Sequence, residues 1–440
     1  MKKILISIIA SVAAAFSASF PVRGQDMEWF SEAKLGIFIH WGIYAVDGVS
    51  ESWSFYNGYV PYDTYMAQTK RFLAENYDPH QWVSLIKESG ARYTVITSKH
   101  HDGVALWNTA ASKLSVPRQT PAGRDVLTPF VHEVRMAGLK LGLYYSLLDW
   151  SHPDYPNWTR TTTRYSIKDD PARWQRFVDF DFAQLRELSE AYRPDLLWFD
   201  GDWEQTAEDW HAPEIIKLLR EYNPDIVVNS RIQGYGDYGT PEIGVPTTRP
   251  ADRYWELCYT MNDSWGFQHK DTNFKTPEMI VRTLVDCISL GGNLLLDIGP
   301  RADGTIPEEE VAILKELGRW TSKHAEAVYP VRAGIPGGFV NAYTALNKDG
   351  SVLYLYFPYR PIGTLEVKGI MNAVKSIRVV GSDTPLTWKI YNKLSWSEVP
   401  GLLDIEVPEE ILDPSMTVIA VELDGPIRLY QGAGKVITSN

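Results

Sequence analysis

The stretch Leu196-Leu-Trp-Phe-Asp-Gly-Asp202 carries the strongest indication of the fold. Four apolar residues in a row are typical of a strand that is buried on both faces, as in parallel sheets covered by helices. Asp200 follows them directly, and Gly201 ends the strand. Enzymes built on parallel barrels place their catalytic groups at this end of the strands, so Asp200 is a candidate catalytic residue. From this stretch alone, the alternative that Asp200 only caps the following helix carries equal weight.

Short apolar segments alternate with longer helical patterns between residues 35 and 328, which predicts a parallel sheet built from βαβ units. The predicted strands are Leu35–Trp41, Tyr93–Ser98, Leu141–Leu147, Leu196–Phe199, Ile226–Asn229, Tyr254–Tyr259 and Asn293–Ile298. The predicted helices are Pro79–Ser89, Val126–Ala137, Pro171–Ala191, Ala212–Tyr222, Pro277–Leu290 and Pro307–Val328. This series favours an α/β fold, a (β/α)8-like barrel with one irregular unit. A doubly wound open sheet is the alternative, although no strand precedes a glycine-rich phosphate-binding loop.

After Pro330 the pattern changes to short strands separated by turn residues, and the long helical periodicity ends. The predicted strands are Val352–Phe357, Gly363–Val367, Val374–Val380, Thr387–Tyr391, Leu402–Val407 and Met416–Leu423. Such a succession predicts a small antiparallel β-sandwich at the C-terminus. The stretch Gly334-Ile-Pro-Gly-Gly338 is a plausible hinge in front of it.

The N-terminus has the order of a secretory signal peptide. Lys2 and Lys3 precede an apolar run from Ile4 to Ala15, and small residues follow. The run is too short to span a bilayer, so we expect its removal and an exported protein, periplasmic or secreted, without membrane insertion. The predicted domains are therefore a signal peptide over residues 1–24, a catalytic barrel over 25–332 and a sandwich over 333–440.

Charge and cysteine content narrow the function classes further. The 440 residues include 43 basic and 55 acidic side chains, a net charge of -12. This balance argues against a nucleic-acid partner, because nothing would neutralise the phosphates. Cys258 and Cys287 could pair in an exported protein, but two cysteines do not make a disulfide framework. An enzyme with a neutral substrate is the favoured class.

Polar and aromatic residues follow most of the predicted strands. The first strand ends in His40-Trp41, the second in Lys99-His100-His101, and the third in Tyr144-Tyr145. Aromatic rings stack on the C–H faces of sugars, while charged side chains bond the sugar hydroxyls. The chain also has 16 Trp residues and no nucleophile elbow or cofactor loop. The pattern indicates a glycosidase, which needs two carboxyl groups.

Five longer motifs follow one another along the chain: Lys34-Leu-Gly-Ile-Phe-Ile-His-Trp-Gly42, Thr97-Ser-Lys-His-His-Asp-Gly103, Leu196-Leu-Trp-Phe-Asp-Gly201, Ser264-Trp-Gly-Phe267 and Gly291-Gly-Asn-Leu-Leu-Leu-Asp-Ile-Gly-Pro300. In this order they resemble the α-L-fucosidases of glycoside hydrolase family 29, over about residues 27–330. The resemblance implies a barrel followed by a β-sandwich. It also implies a retaining exo-glycosidase that releases terminal α-L-fucose by double displacement, here as an exported bacterial member.

The same resemblance suggests the catalytic pair. Asp200 matches the nucleophile, which forms a covalent fucosyl ester. Glu242, in Gly-Thr-Pro-Glu, is similar to the acid/base loop of bacterial members and is the first choice for the acid/base. Glu256, in Trp-Glu-Leu-Cys, is its rival. Outside catalysis, Glu242 would be a solvated loop residue and Glu256 a structural group or a contact to a sugar hydroxyl.

Further residues match the sugar-binding positions of the family or lie beside them. They are His40, Glu51, Trp53, His100, His101, Tyr145, Trp198, Arg231 and Phe267. The resemblance assigns the three histidines to the fucose hydroxyls and Phe267 to the fucose methyl group. The family usually has Glu and Trp adjacent, whereas here Ser52 separates Glu51 from Trp53, which leaves their roles open.

We expect neither a metal nor another cofactor. Neighbouring residues on a strand point to opposite faces, so His100 and His101 are poorly placed to hold one ion, and no other group has zinc-like spacing. The expected partner is a fucosylated oligosaccharide or glycan; the oligomeric state stays open. Two other functions also stay open: a glycosidase of the same fold that acts on a related sugar such as an α-L-galactoside, and a catalytically silent carbohydrate-binding protein.

Overall fold

The computed structural model describes residues 26–382 and 384–432, and its elements are numbered here along the chain. The strands are β1 Leu35–Ile39, β2 Tyr93–Lys99, β3 Lys140–Ser146, β4 Asn157–Thr159, β5 Thr162–Thr163, β6 Leu196–Asp200, β7 Val227–Val228, β8 Glu256–Thr260, β9 Asn293–Ile298, β10 Val331–Ala333, β11 Tyr343–Asn347, β12 Val352–Phe357, β13 Thr364–Lys368, β14 Val374–Val379, β15 Trp388–Tyr391, β16 Leu402–Glu406 and β17 Thr417–Leu423. The α-helices are α1 Glu28–Ala33, α2 Trp53–Tyr56, α3 Tyr62–Met66, α4 Pro79–Glu88, α5 Val116–Gln119, α6 Leu127–Met136, α7 Pro171–Tyr192, α8 Ala212–Tyr222, α9 Pro277–Leu290, α10 Glu308–Lys323 and α11 Ala325–Val328.

A curved parallel sheet with the strand order β7-β6-β3-β2-β1-β9-β8 forms the centre of the larger part of the chain. An irregular segment, residues 238–242, lies between its outer strands β7 and β8. Parallel bridges join Asn229 to Tyr238, Gly239 to Trp255, and Glu242 to Cys258. This segment closes the sheet as its eighth member, so the predicted (β/α)8-like barrel with one irregular unit is confirmed. The open-sheet alternative is wrong.

The side chains of the barrel strands alternate between two buried environments, as the two-residue period of a strand requires. Phe38, Tyr144 and Trp198 belong to a cluster inside the barrel. Their neighbours Tyr145 and Phe199 belong to the larger core between the strands and the surrounding helices. Both faces of the sheet are therefore buried, which explains the nearly continuous apolar runs in the sequence.

A β-sandwich follows the barrel, as predicted. One antiparallel sheet has the order β10-β11-β12-β17-β14, and a smaller one has the order β13-β16-β15. Apolar side chains from both sheets, among them Leu355, Ile419, Val367 and Ile405, form one core between them. The pattern of the sequence did not predict β10 and β11, and the predicted boundary between residues 332 and 333 falls within β10.

Three further findings concern the predictions on helices, cysteines and membranes. The helix predicted over Pro307–Val328 is divided at His324, whose backbone leaves the helical region. Cys258 and Cys287 are both buried and free, so the possible disulfide is not formed. Within the described ranges, no helix is long and apolar enough to cross a membrane. The predicted signal peptide over residues 1–24 lies outside the described residues.

Candidate active site

A cavity of about 270 Å³ opens at the carboxyl ends of β1, β2, β3 and β6. It is lined by Phe38, His40, Glu51, Trp53, His100, Tyr144, Trp198, Asp200, Trp203, Arg231, Glu242 and Trp265. A larger cavity of about 990 Å³ lies at the opposite end of the barrel, beside Lys34 and Gly291, where β1 and β9 begin. Only the smaller cavity contains the strand-end carboxylates Asp200 and Glu242, and barrel enzymes carry their active sites at this end.

Asp200 is the last residue of β6, and its side chain is 13% exposed in the cavity. Arg231 donates a hydrogen bond to Asp200 Oδ1 at 2.9 Å, and Tyr144 donates one to Oδ2 at 3.0 Å. Asp200 does not cap a helix: α8 begins only at Ala212, and the short turn that follows Asp200 has no side-chain cap. The carboxylate is thus held in one orientation while it stays accessible from the cavity.

Arg231 connects the two candidate catalytic carboxylates. Its Nη1 contacts Asp200, and its Nη2 donates a hydrogen bond of 2.6 Å to Glu242 Oε2. The side chain of Glu242 is 42% exposed and comes from the irregular segment that closes the barrel. The guanidinium group lies over the ring of Trp198 and is tied to Thr240 by its Nε. Two carboxylates that share one guanidinium group must be close neighbours.

Glu256 occupies a different environment from Glu242. It is fully buried, does not line the cavity, and accepts hydrogen bonds from Trp198 Nε1 at 3.0 Å and from the hydroxyl groups of Tyr93 and Tyr238. Burial raises its pKa to about 7. Both carboxylate oxygens therefore accept hydrogen bonds from aromatic side chains, and Glu256 holds the indole N–H of Trp198.

The three histidines near the cavity are each anchored through Nδ1. His40 contacts Asp297 at 2.7 Å, His100 contacts Ser52 at 2.5 Å, and His101 contacts Ser146 at 2.6 Å. Burial lowers the pKa of all three, that of His101 to about 3, so the rings are neutral at neutral pH. Their Nε2 atoms are left for hydrogen bonds to a ligand.

His101 Nε2 is the clearest case of such a free group. It is buried and has no hydrogen-bond partner among the residues that the structure describes. It lies 3.6 Å from Asp200 Oδ2, which is beyond hydrogen-bond range. Buried polar groups without partners are rare, and this one faces the carboxylate of the candidate nucleophile.

Glu51 and Trp53 both line the cavity despite the intervening Ser52. Glu51 is buried, and its Oε1 accepts a hydrogen bond of 2.6 Å from the backbone N–H of Gly266. Burial raises the pKa of Glu51 to about 7. The ring of Trp53 stacks on that of Trp203, with centroids 6.0 Å apart and planes at 17°.

Three of the predicted sugar-binding residues are not part of the cavity lining: His101, whose contacts are given above, Tyr145 and Phe267. Tyr145 points outward from β3, where it donates a hydrogen bond of 2.7 Å to Asp181, because its neighbour Tyr144 takes the inward position. Phe267 does not line the cavity and packs instead against His269 and Arg301.

Four lining residues were not predicted as site residues from the sequence: Phe38, Tyr144, Trp203 and Trp265. Strand alternation was the available signal for Phe38 and Tyr144, since Phe38 is two residues before His40, and Tyr144 pairs with Trp198 across the sheet. Trp203 and Trp265 lie outside the strands, where no periodicity marks a side chain that turns towards the cavity. Within the described ranges, no cluster of His, Cys, Asp or Glu is suited to a metal ion.

Comparisons with known proteins show the family of this chain. A family model described as alpha-L-fucosidase matches residues 17–326. The chain belongs to the α-L-fucosidase family. The mouse tissue alpha-L-fucosidase is 30% identical over 393 residues, which cover 82% of this chain and 84% of the mouse protein.

Solved structures of α-L-fucosidases share the whole architecture of this family member. Isoenzyme 1 from Paenibacillus thiaminolyticus is 31% identical with a TM-score of 0.82, and the match covers 90% of this chain and 98% of that one. A family 29 α-L-fucosidase from Bacteroides thetaiotaomicron, trapped as a covalent intermediate with 2-fluoro-fucosyl fluoride, is 27% identical with a TM-score of 0.79. That match covers 91% of this chain and 96% of the other.

Proposed function

We propose that this enzyme is a retaining exo-α-L-fucosidase, with Asp200 as nucleophile and Glu242 as acid/base. The observation that carries the proposal is the contact of one guanidinium group, that of Arg231, with both carboxylates inside a small cavity. A retaining pair requires carboxyl groups about 5 to 5.5 Å apart, close enough for one to attack while the other protonates.

The reaction follows from these positions in two steps. Asp200 attacks the anomeric carbon of fucose while the bond to the aglycone oxygen breaks and Glu242 gives that oxygen its proton. Glu242 then takes a proton from water, the water oxygen attacks the same carbon, and the ester bond to Asp200 breaks. Glu242 is ion-paired with Arg231 here, so the arriving sugar has to loosen this pair before Glu242 can carry the proton.

Fucose recognition is assigned to the neutral histidines and the aromatic walls. The Nε2 atoms of His40 and His100, which line the cavity, are assigned to the sugar hydroxyls, and the unpartnered Nε2 of the buried His101 faces Asp200 beside them. Phe38 and Trp265 give the cavity an apolar wall that suits the methyl group of a 6-deoxy sugar. An aryl α-L-fucoside should therefore be cleaved faster than the matching α-L-galactoside, whose extra hydroxyl group would meet this wall without a partner.

Replacement of the nucleophile tests the main proposal. Asp200→Ala should lower the turnover of an aryl α-L-fucoside by about 10³-fold or more, because the covalent route is lost. Added azide should then restore part of the activity by entering the vacated space. Near-normal turnover in this variant would contradict the proposal, and so would a wild-type protein that binds fucose without any turnover.

A second pair of variants tests Glu242 against Glu256. Loss of the acid should severely slow the hydrolysis of a fucosyl oligosaccharide, whose aglycone is a poor leaving group. It should only mildly slow the glycosylation step with an activated aryl fucoside. We expect Glu242→Ala to show this dependence on the leaving group, with azide rescue. Glu256→Ala should harm both substrates alike, because Glu256 supports Trp198. The reverse outcome would assign the acid to Glu256.

We also propose that the enzyme is exported, which rests on the charged, apolar and small-residue order of residues 1–24. N-terminal sequencing of the protein from its native host, after cell fractionation, tests this. A mature protein that retains Met1 in the cytoplasm would contradict export.

A further inference from the structure

Trp203 is a large aromatic side chain that stays half exposed at the edge of the active site. It lines the same cavity as Asp200 and Glu242, and it is 50% exposed. A single exposed apolar residue needs no explanation by itself. Here, however, the surrounding contacts fix the residue in one orientation.

The turn that carries Trp203 is anchored on both sides. Glu204 accepts hydrogen bonds from the hydroxyl group of Tyr155 at 2.6 Å and from Asn157 Nδ2 at 2.7 Å. On the other side, the backbone oxygen of Asp202 accepts one from Gln233 Nε2 at 2.7 Å. Trp203 therefore needs little ordering when a ligand arrives, which lowers the entropic cost of binding.

One side of the indole ring is occupied by the protein. The ring of Trp53 stacks on it at 6.0 Å, and the ring of His101 approaches it at 6.0 Å with planes at 84°. Since half of the side chain remains exposed, the surface directed away from these two rings is free for contact. It forms an apolar platform directly beside the cavity.

The cavity of about 270 Å³ is formed mostly by buried strand-end side chains, and Glu242 and Trp203 are its most exposed lining residues. The group attached to a sugar bound in this cavity must extend out through the cavity opening. The glycosidic oxygen has to face Glu242, which is half exposed on the same rim.

We propose that Trp203 forms the aglycone subsite of this enzyme. The ring of the sugar to which fucose is attached stacks its C–H face on the free surface of the indole. This inference rests on the proposed fucosidase activity. It identifies Trp203 as the residue that selects the sugar on the aglycone side of the scissile bond.

Two substrates separate the aglycone from the fucose itself. α-L-Fucosyl fluoride has no aglycone ring, and its leaving group needs no acid. The second substrate is the fucosyl disaccharide that the wild-type enzyme cleaves fastest among fucose linked to galactose, glucose and N-acetylglucosamine. In Trp203→Leu, the ratio of kcat/KM for the disaccharide to kcat/KM for the fluoride should fall about tenfold, the size of one aromatic contact.

Matched variants complete the experiment. Trp203→Phe keeps an aromatic face and should recover most of the ratio. Trp396→Ala removes a Trp that is 81% exposed on the β-sandwich and should leave the ratio unchanged. An unchanged ratio in Trp203→Leu would overturn the subsite, and so would an equal loss on both substrates. A wild-type enzyme that does not release fluoride would instead contradict the proposed function.

Discussion

Glu256 combines a pKa that suits a catalytic acid with a position outside the candidate active-site cavity. Its pKa is raised to about 7 by burial, a value that suits a general acid. However, its oxygens accept hydrogen bonds from Trp198, Tyr93 and Tyr238 and do not reach the cavity. In the proposed function geometry therefore outweighs the pKa, and the cavity-lining Glu242 is assigned as the acid/base.

Glu256 should nevertheless give the fold a measurable pH dependence. Its pKa is higher in the folded protein than the ordinary 4.5. Its contribution is therefore fully present below about pH 4.5 and is lost as the pH rises through about 7. Gln imitates the neutral form at every pH. From about pH 5 to about pH 8, the free energy of unfolding of Glu256→Gln should rise relative to wild type by up to ~3 kcal/mol.

Urea unfolding of both proteins at the two pH values measures this difference. Glu208→Gln, at an exposed helix-flanking position, is the control and should show no such trend. A difference between wild type and Glu256→Gln that does not change with pH would show that Glu256 is not held in its neutral form.

At the scale of the elements, the sequence predicted the strands that are buried on both faces and failed where the chain is irregular. β6 carries the apolar run Leu196–Phe199 and β9 the run Leu294–Leu296, and the bounds of both strands were predicted to within one residue. The segment 238–242 pairs through isolated bridges, and Pro241 cannot donate a backbone hydrogen bond. No apolar run marks it. The same limit applies to the site: Trp203, on a short turn, was not predicted, and Glu242, on this segment, was named only through the family resemblance.

Gly236 leads into this segment and has no room for a side chain. A Cβ at this position would lie 1.9 Å from the backbone oxygen of Asn229. Gly236→Ala must therefore shift the chain on one side, which carries Glu242, or on the other, which carries Arg231. We expect a loss of ~1–3 kcal/mol in the free energy of unfolding, together with a lower kcat/KM for an aryl fucoside.

Gly244 provides the matched control just beyond Glu242. A Cβ there would have its nearest neighbour at 3.7 Å, an ordinary contact distance. Gly244→Ala should therefore keep the stability and the kcat/KM of the wild type. If both variants behaved alike in urea unfolding and in turnover, the close approach of Gly236 to Asn229 would not determine the position of the segment.

At the scale of the whole molecule, α10 joins the barrel to the β-sandwich. Trp320 Nε1 donates a hydrogen bond of 2.8 Å to the backbone oxygen of Met416. Arg319 and Lys323, on the same helix, both form ion pairs with the buried Asp413 of the sandwich, at 2.8 and 2.7 Å. These contacts fix the sandwich against a helix of the barrel wall, so the two parts should unfold together.

Asp413 makes this junction sensitive to acid. Burial opposes its charge, but the hydrogen bonds from Arg319 and Lys323 prevail and hold the pKa of Asp413 well below its ordinary range. The stabilisation is therefore present above about pH 3.8 and is lost as the pH falls further.

Asp413→Asn should lower the free energy of unfolding by ~1–3 kcal/mol at about pH 7. This range is discounted because both cations are about one-third exposed. The difference from wild type should shrink towards about pH 3. Glu409→Gln, which breaks a largely exposed pair with Arg360, should cost less than ~1 kcal/mol. Urea unfolding of the wild type, Asp413→Asn and Glu409→Gln measures these differences. An equal loss of stability in both variants would mean that Asp413 does not join the two parts by its charge. A loss in Asp413→Asn that persists unchanged in acid would mean the same.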